Sequence, residues 1–225
     1  MMNHFRVALI LVGIATATVS QIVGNPFQIQ KDSPALENEY VRVTVIPRLT
    51  RTPTVLADCR FPRPSVLVYV PTYDDSSTSA SAQRQGRGNA SARFIGPDQI
   101  VGCPIGWPGG TAVWIDLKSQ PPASSSSSDA VKLDPVHNEV VFENEQVRVV
   151  RIHFEPGESG PIVDKRPRVI FARTDSHATV TFSDGHSEAR DMKAGTVSFG
   201  NAGRQATKNT GTTPLENIVV ELKSR

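Results

Sequence analysis

Histidine supplies many of the metal ligands and proton-transfer groups that work near neutral pH, and this chain of 225 residues contains only five. Two of them, His177 and His186, flank a predicted hairpin and are candidates for weak metal binding across it. A stable metal site usually needs three or four ligands. We therefore interpret both as exposed side chains at the ends of the hairpin.

The usual sequence patterns of nucleophilic and acid–base catalysis are absent as well. Glu143, Glu145 and Glu158 do not have the spacing of an acid–base pair, and we interpret them as surface charges near turns. The serines near the middle of the chain lack the Gly-x-Ser-x-Gly context of a nucleophile elbow. His153, near the end of a predicted strand, is the one candidate for a general base.

The two cysteines, Cys59 and Cys103, both lie in the first half of the chain. A disulfide between them would close a loop of about 45 residues and stabilise the fold by a few kcal/mol. The alternative is a pair of buried free thiols, because free cysteine is among the most buried residue types. Sequence alone does not determine the separation of the two Cα atoms, so both alternatives stand.

The formal net charge is +2, and no basic cluster is dense enough to indicate a nucleic-acid surface. Arg84, Arg87 and Arg93 lie in a polar stretch, 72–93, and are candidates for contact with a polyanion. Glycine and serine interrupt these charges, which favours a solvated mobile loop instead. We expect no nucleic-acid partner.

Residues 1–20 have the features of a secretory signal, with a short polar start followed by an apolar run, 7–19, that ends in small residues. The alternative is an anchor that stays in the membrane. The apolar run is shorter than the roughly 20 residues that a membrane helix needs. We therefore expect cleavage and a periplasmic or secreted protein, and no other segment is apolar enough to span a membrane.

Short apolar or alternating runs, separated by turn sequences about every ten residues, predict an all-β fold. No segment predicts a helix. Glu155-Pro156-Gly157-Glu158 and Ser183-Asp184-Gly185 are among the turn signals. A sandwich, a jelly roll or a barrel fits this pattern. The predicted strands are 40–46, 55–59, 66–70, 112–117, 140–154, 168–172, 178–182, 187–192, 196–199, 206–209 and 216–222.

Part of the sequence occurs twice. ENEYVRVTVIP, at 37–47, resembles ENEQVRVVRIHF, at 143–154, and PSVLVYV, at 64–70, stands where PRVIFAR stands at 167–173. Such self-similarity predicts a duplicated fold. The Ser- and Pro-rich stretch between the copies has the composition of a flexible linker. The predicted units are 32–118, the linker 119–135, and 136–225.

The second copy resembles the cupin barrel, most closely that of small exported bacterial cupin-type proteins. The residues that carry the resemblance are PGESGPIVDKRPRVI, at 156–170, and DGHSEARDMKAGTVSFGNAGRQATKNTGTTPLENIVVELK, at 184–223. It covers 140–223 well, and it covers 36–118 through ENEYVRV, PSVLVYV and WIDLK. The resemblance implies two tandem double-stranded β-helix (jelly-roll) barrels, of which the first is degenerate.

Cupins commonly hold a transition metal through three histidines and a glutamate, and the resemblance places those positions on other residue types here. The histidine positions fall on Val163, Lys165 and Gln205, and the glutamate position falls near Val169 or Ile170. In the first unit two of the matching positions are Arg60 and Pro62. Valine cannot donate to a metal, and an ammonium group repels one. The resemblance therefore implies neither a bound metal nor another cofactor.

The same resemblance points Val163, Lys165 and Gln205 into the second barrel as candidate ligand-binding residues. A buried lysine needs a partner, which a small anionic or sugar-like ligand, Asp164 or a nearby glutamate would supply. The alternative, which we favour, is that Lys165 reaches the barrel rim and packs its stem on Ile162 and Val163. The first hypothesis is an exported, non-catalytic bicupin that binds a small molecule or a partner. The alternatives are a metal-independent isomerase or epimerase and a structural domain that forms homo-oligomers.

Overall fold

The computed structural model describes residues 34–46, 57–71, 90–103, 110–122 and 128–224, and for 57–59 and 101–103 it describes the backbone alone. The described part of the first unit contains β1 Leu36–Glu37, β2 Val41–Ile46, β3 Ala57–Phe61, β4 Ser65–Pro71, β5 Ser91–Ile95, β6 Gln99–Cys103 and β7 Gly110–Leu117. A short helix, α1 Ala130–Leu133, follows. The second unit contains β8 Asn138–Glu143, β9 Val147–Phe154, β10 Val163–Lys165, β11 Arg168–Ala172, β12 Ser176–Phe182, β13 Ser187–Met192, β14 Val197–Gly200, β15 Gly203–Asn209 and β16 Leu215–Leu222.

Each unit has a five-stranded antiparallel sheet, and the two sheets have the same strand order. The order is β1-β2-β7-β4-β5 in the first unit and β8-β9-β16-β11-β14 in the second. Opposite these sheets lie the ribbon β3-β6 and the four-stranded sheet β10-β15-β12-β13, in which β10 and β15 correspond to β3 and β6. The hairpin β12-β13 stands where the first unit has residues 72–89, outside the described residues. The duplication predicted from sequence is thus present in the topology.

Matching side chains make matching bonds in the two units. The Asn38 and Asn144 side-chain oxygens each accept hydrogen bonds of 2.9 Å from the backbone N–H groups two and three residues further on. This Asx turn leads the chain into β2 and β9. At the other end of each copy, Lys118 Nζ donates to the Asn38 carbonyl at 2.6 Å, and Lys223 Nζ donates to the Asn144 carbonyl at 2.7 Å. The repeated ENE and LK sequences therefore close each unit in the same way.

The two five-stranded sheets share one hydrophobic core. Valine and isoleucine recur at about every second position along these strands, so one face of each sheet is apolar. Residues of both units belong to the same buried cluster, among them Val41, Val43, Val66 and Ile115 of the first and Val147, Val149, Ile218 and Val220 of the second. The second sheet consequently buries its outer face against the first unit and turns its inner face toward its own four-stranded sheet.

Most strands lie where the sequence predicts them, and two predictions need correction. The run 140–154 is two strands, because the turn at Asn144 separates β8 from β9. The predicted loop 72–93 is wrong at its end, since Ser91–Ile95 forms β5 and pairs with β4. The residues before this strand are polar, and the strand itself forms its hydrogen bonds with β4. Arg93 lies in β5, whereas Arg84 and Arg87 fall outside the described residues.

The predicted linker is also more ordered at its end than its composition suggests. Ser128 Oγ donates to an Asp164 carboxylate oxygen at 2.7 Å, and Asp129 caps the N-terminus of α1, which the sequence did not predict. These residues contact the second barrel. None of the described helices has the length and hydropathy that a membrane span requires.

The backbone brings the two cysteine positions near each other. In the register of β3 and β6, Cys59 pairs with Val101 and Cys103 pairs with Ala57, so the two positions are diagonal neighbours. Their side chains are not among the described atoms, so the disulfide and the two free thiols both stay as alternatives. Residues 1–33, with the predicted signal, also lie outside the described residues.

Candidate functional site

A cavity of about 570 Å³ lies inside the second unit, between its four-stranded and five-stranded sheets. Alternation along the strands explains its composition, because every second residue of each strand points between the sheets. The apolar part of its wall includes Ile152, Ile170, Val180, Phe182, Leu215 and Val219. A volume of this size is within the usual range of roughly 300–1,000 Å³ for small-molecule sites.

The cavity opens beside β13, the edge strand of the four-stranded sheet. Glu188, Arg190 and Asp191 of this strand line the cavity and are exposed. Arg190 forms an ion pair with Glu188. The entrance therefore carries charges of both signs that are paired or exposed to solvent. The two cations with lowered pKa values, Lys165 and Arg168, also line the cavity.

Lys165 lines the cavity from the end of β10. No hydrogen bond or ion pair reaches its ammonium from the residues that the structure describes. Burial, and secondly the positive charge of Arg168, lower its pKa from 10.5 to about 8. Protein surrounds the Lys165 side chain, but part of its surface stays accessible because it faces the cavity. The ammonium is thus enclosed, repelled by a cation and without a direct partner.

Arg168 lies beside Lys165 and is also buried, with 7% of its surface exposed. Its Nη1 donates to the carbonyls of Arg166 at 3.1 Å and Asn201 at 2.9 Å, which hold the guanidinium in place. Burial lowers its pKa to about 10, although the carboxylate of Glu221 opposes that shift. Gly200 gives it room, since a Cβ there would lie 2.8 Å from Arg168 Cζ.

Two carboxylates in this region, those of Glu221 and Asp129, are bound to another arginine. Arg148 Nε donates to Glu221 at 2.8 Å, and Arg148 Nη1 donates to both Asp129 carboxylate oxygens at 2.9 and 2.8 Å. Burial alone would raise the pKa of Asp129, but the hydrogen bond and charge of Arg148 outweigh it and lower the pKa. Asp129 and Glu221 are therefore paired with Arg148, and neither forms a hydrogen bond or ion pair with Lys165, although the charges of Glu221 and Asp134 partly oppose the lowering of the Lys165 pKa.

Asn217 supplies a second polar group at the other end of the cavity. It lies on the same strand and face as Glu221, four residues earlier, which is about 13 Å along β16. Its side-chain oxygen is buried and has no hydrogen-bond partner within the described residues. An unsatisfied buried acceptor is costly, so a ligand that donates a hydrogen bond here would be stabilised.

Two of the three site residues predicted from the resemblance line this cavity, namely Lys165 and Gln205. Val163 is buried opposite Gln205 in the register of β10 and β15 and does not reach the cavity wall. Lys165 lies at the end of β10 opposite the exposed Gly203, and its side chain lines the cavity, so the favoured rim position stays a prediction. Asp164 is not its partner, since that carboxylate binds Ser128.

Sequence reasoning missed Arg168, Asn217 and Glu221. The available signal was a charged or amide residue on the same strand face as an apolar residue. Arg168 is an example, because Ile170 lies two residues further on and shares its face. Alternation then places the polar group on an otherwise apolar face. It does not reveal what lies across the barrel.

The four histidines that the structure describes, at 137, 153, 177 and 186, do not line the cavity. His153 is on the opposite face of β9 from the cavity-lining Ile152, and its Nε2 contacts Glu155 at 3.0 Å, so its candidacy as a general base is not supported by position. His177 and His186 sit at opposite ends of the β12–β13 hairpin rather than side by side. In the described part of the chain, no three His, Cys, Asp or Glu residues are arranged to hold a metal ion.

No family model matches the chain, and no curated protein matches its sequence. Solved structures do match. A cupin domain from Bordetella pertussis Tohama I is 20% identical, with a TM-score of 0.37, over 39% of this chain and 92% of that chain. An RmlC-like cupin family protein with a double-stranded β-helix fold, from Methanocaldococcus jannaschii, is 22% identical, with a TM-score of 0.32, over 38% of this chain and 78% of that chain.

A longer match extends over both units. AerE from Microcystis aeruginosa is 10% identical, with a TM-score of 0.50, over 85% of this chain and 97% of that chain. At these identities the likeness concerns the fold alone. The second unit has the two facing antiparallel sheets of a jelly roll, and the first repeats its strand order. The chain thus has the fold of the cupin superfamily, the double-stranded β-helix, in two tandem copies.

Proposed function

We propose that the second barrel binds a small organic anion, and that the chain acts as a binding protein rather than through a metal. The observation that carries this proposal is the enclosed ammonium of Lys165, which no described carboxylate contacts. A bound anion would restore the charge on this group and remove part of the cost of burying it.

The wall of the cavity indicates what else the anion carries. Its apolar residues favour a ligand with a hydrocarbon portion, such as a short branched or aromatic acid. The side-chain oxygen of Asn217, which has no described partner, favours a ligand with a hydroxyl or amine group at the opposite end from its acid group. A neutral sugar fits less well, because it would bury several hydroxyls against Ile170, Val180 and Phe182.

The first unit has a structural role in this proposal. Its five-stranded sheet covers the outer face of the second five-stranded sheet, which would otherwise expose a strip of valines and isoleucines. Arg173 Nη2 also donates to the Pro71 carbonyl at 3.1 Å across the junction. This packing holds the inner face of the second sheet, and with it the cavity, in a defined shape.

The direct test is a thermal-shift and calorimetric screen of the purified protein against short carboxylates, phosphates and neutral sugars. A ligand that prefers the folded state raises the melting temperature. We expect carboxylates with an apolar portion to raise it, and Lys165→Met to remove that response. Lys193→Met is the matched control, because Lys193 is an exposed lysine paired with Asp175. Equal responses of all three proteins, or no response to any anion, would overturn the proposal.

We also propose export, with residues 1–20 as a removable signal, on the support of the apolar run 7–19. N-terminal sequencing of the protein from fractionated cells tests this. A mature N-terminus near residue 18 or 21 in the periplasm or medium is the expected result. An intact N-terminus in the cytoplasmic fraction would contradict it.

A further inference from the structure

We propose that Lys165 forms a reversible imine with the carbonyl carbon of a small oxo acid whose carboxylate is bound by Arg168. This inference rests on the proposed function and deepens it, because it assigns the anion to the class of 2-oxo and 3-oxo acids. It adds an activity, carbonyl activation, that the fold does not by itself imply.

The first support is the placement of the amine. Lys165 extends from the end of β10 into the cavity, with no hydrogen bond or ion pair to any residue in the described ranges. A lysine that only stabilised the fold would be expected to bind a carboxylate. Of the two carboxylates whose charges act on Lys165, Glu221 instead accepts from Arg148 Nε at 2.8 Å, and Asp134 contacts His137 Nδ1 at 2.7 Å. The amine therefore faces a space large enough for a small molecule, with its reactive end unoccupied.

The second support is the guanidinium beside it. Two backbone carbonyls hold Arg168 Nη1, so the side chain has little freedom. Its Nε and Nη2 make no hydrogen bond to the described residues. This edge of a guanidinium matches the two oxygens of a carboxylate. An acid bound there would bring its own carbonyl group close to Lys165.

The third support is the chemistry of the amine. Lysine becomes nucleophilic when it is desolvated in an apolar pocket or placed beside another cation, and both conditions hold here. Burial and Arg168 lower the pKa of Lys165 to about 8, so a substantial fraction of the amine is neutral in mildly alkaline solution. An exposed lysine near its usual pKa has a far smaller neutral fraction.

The step balances without an oxidant or a cofactor. The lone pair of the neutral amine attacks the carbonyl carbon, and a C–N bond forms as the C–O π bond opens. The two protons of the amine leave with the carbonyl oxygen as water, and a C=N bond remains. Water reverses the step. A proton from solvent converts the imine to an iminium ion, which pulls electrons from the adjacent carbon.

Reductive trapping tests the proposal on the purified full chain. The protein is incubated at pH 8 with pyruvate or acetoacetate, reduced with sodium cyanoborohydride or borohydride, digested and mapped by mass spectrometry. We expect one reduced adduct, on the peptide that contains Lys165. Lys165→Arg keeps a positive charge but cannot form an imine, and should lose the adduct. Lys193→Arg removes an exposed lysine and should keep it.

Each outcome separates this proposal from the one on which it rests. An adduct confined to Lys165 supports both. No adduct, or equal labelling of exposed lysines in the wild type and in Lys165→Arg, overturns the imine. If oxo acids and their non-carbonyl analogues, such as propionate, still raise the melting temperature in that case, anion binding stands alone. If neither raises it, the proposed function fails as well.

Discussion

Val163 and Gln205 lie directly opposite each other in the antiparallel register of β10 and β15. With Lys165, they occupy the positions where the cupin resemblance would place three histidines. An aliphatic side chain, an amide and an ammonium cannot form the imidazole set that suits transition metals. This relationship leads to the first prediction.

We expect the purified protein to carry no stoichiometric transition metal, even after expression in medium supplemented with manganese, iron, nickel, copper or zinc. Elemental analysis after dialysis measures this, and a chelator should leave the melting temperature unchanged. One metal ion per chain that survives dialysis would contradict the prediction. So would a chelator-induced loss of stability, because metal binding to a folded site stabilises it.

Replacing Lys165 by methionine should stabilise the protein while removing its response to anions. The charged form of Lys165 is disfavoured in the folded state, so its burial costs stability below pH 8. That cost disappears as pH rises from about 8 to 10.5, because the unfolded chain binds more protons in that window. We expect Lys165→Met to gain about 1–3 kcal/mol at pH 7. Urea denaturation at pH 7 and pH 10 measures the gain.

The gain over the wild type should shrink at pH 10, because most of the interval between the folded and unfolded pKa values of Lys165 has then been crossed. Lys193→Met again serves as the control for loss of a lysine, and its stability relative to the wild type should lack this dependence between pH 7 and 9. A destabilised Lys165→Met at pH 7 would mean that the ammonium has a protein partner.

Gly200→Ala should weaken anion binding and cost some stability. A Cβ at Gly200 would lie 2.8 Å from Arg168 Cζ, so the guanidinium must shift and strain its hydrogen bonds to the carbonyls of Arg166 and Asn201. Displacing the Arg168 guanidinium should lower the affinity for the anion roughly tenfold, equivalent to about 1.4 kcal/mol. Calorimetry with the best carboxylate measures this. Gly96→Ala, whose Cβ meets only the Gln99 side chain at ordinary contact distance, should bind normally.

Arg148→Ala should destabilise the second unit strongly. It would leave Glu221, which is 4% exposed, and Asp129 without their shared partner. Removing one member of a buried ion pair typically costs about 3–5 kcal/mol. The matched control is Arg60→Ala, because Arg60 pairs with Asp98 on the surface and should matter by no more than about 0.5 kcal/mol. Chemical denaturation compares the two, and similar losses would contradict the prediction.

Glu216 should make stability depend on acid pH. Burial alone would raise its pKa, but the hydrogen bond from Arg151 and the charges of Arg173 and Arg151 outweigh it, so the pKa is lowered. A carboxyl with a depressed pKa contributes stability above its unfolded pKa, and the contribution is lost as pH falls through the folded value. The stability gap between wild type and Glu216→Gln should therefore be largest near pH 7 and should close below about pH 4. Thermal melts between pH 7 and pH 3 measure it.

Much of the fold could be predicted from the sequence because strands are encoded locally. The apolar run after Pro167 predicted β11, and the turn sequences on either side predicted β13, both with the bounds that the structure shows. The repeated ENE and LK sequences predicted the duplication, and their side chains close both units identically. The strand β5 could not be found in this way. Its sequence, SARFI, alternates polar and apolar residues and packs Ala92 and Phe94 on the core, but the run is short and follows a long polar stretch.

By itself, the sequence determined that this is a duplicated all-β chain, and its resemblance to cupins implied that valine, lysine and glutamine stand at the histidine positions of a cupin metal site. Only the tertiary structure decided that Lys165, Arg168 and Asn217 line the same cavity. Strand alternation indicates which face a side chain takes, but the residues across a barrel are brought together by long-range pairing of sheets. The pKa of an amine depends on those distant neighbours, so it is a property of the folded protein and not of the sequence around Lys165.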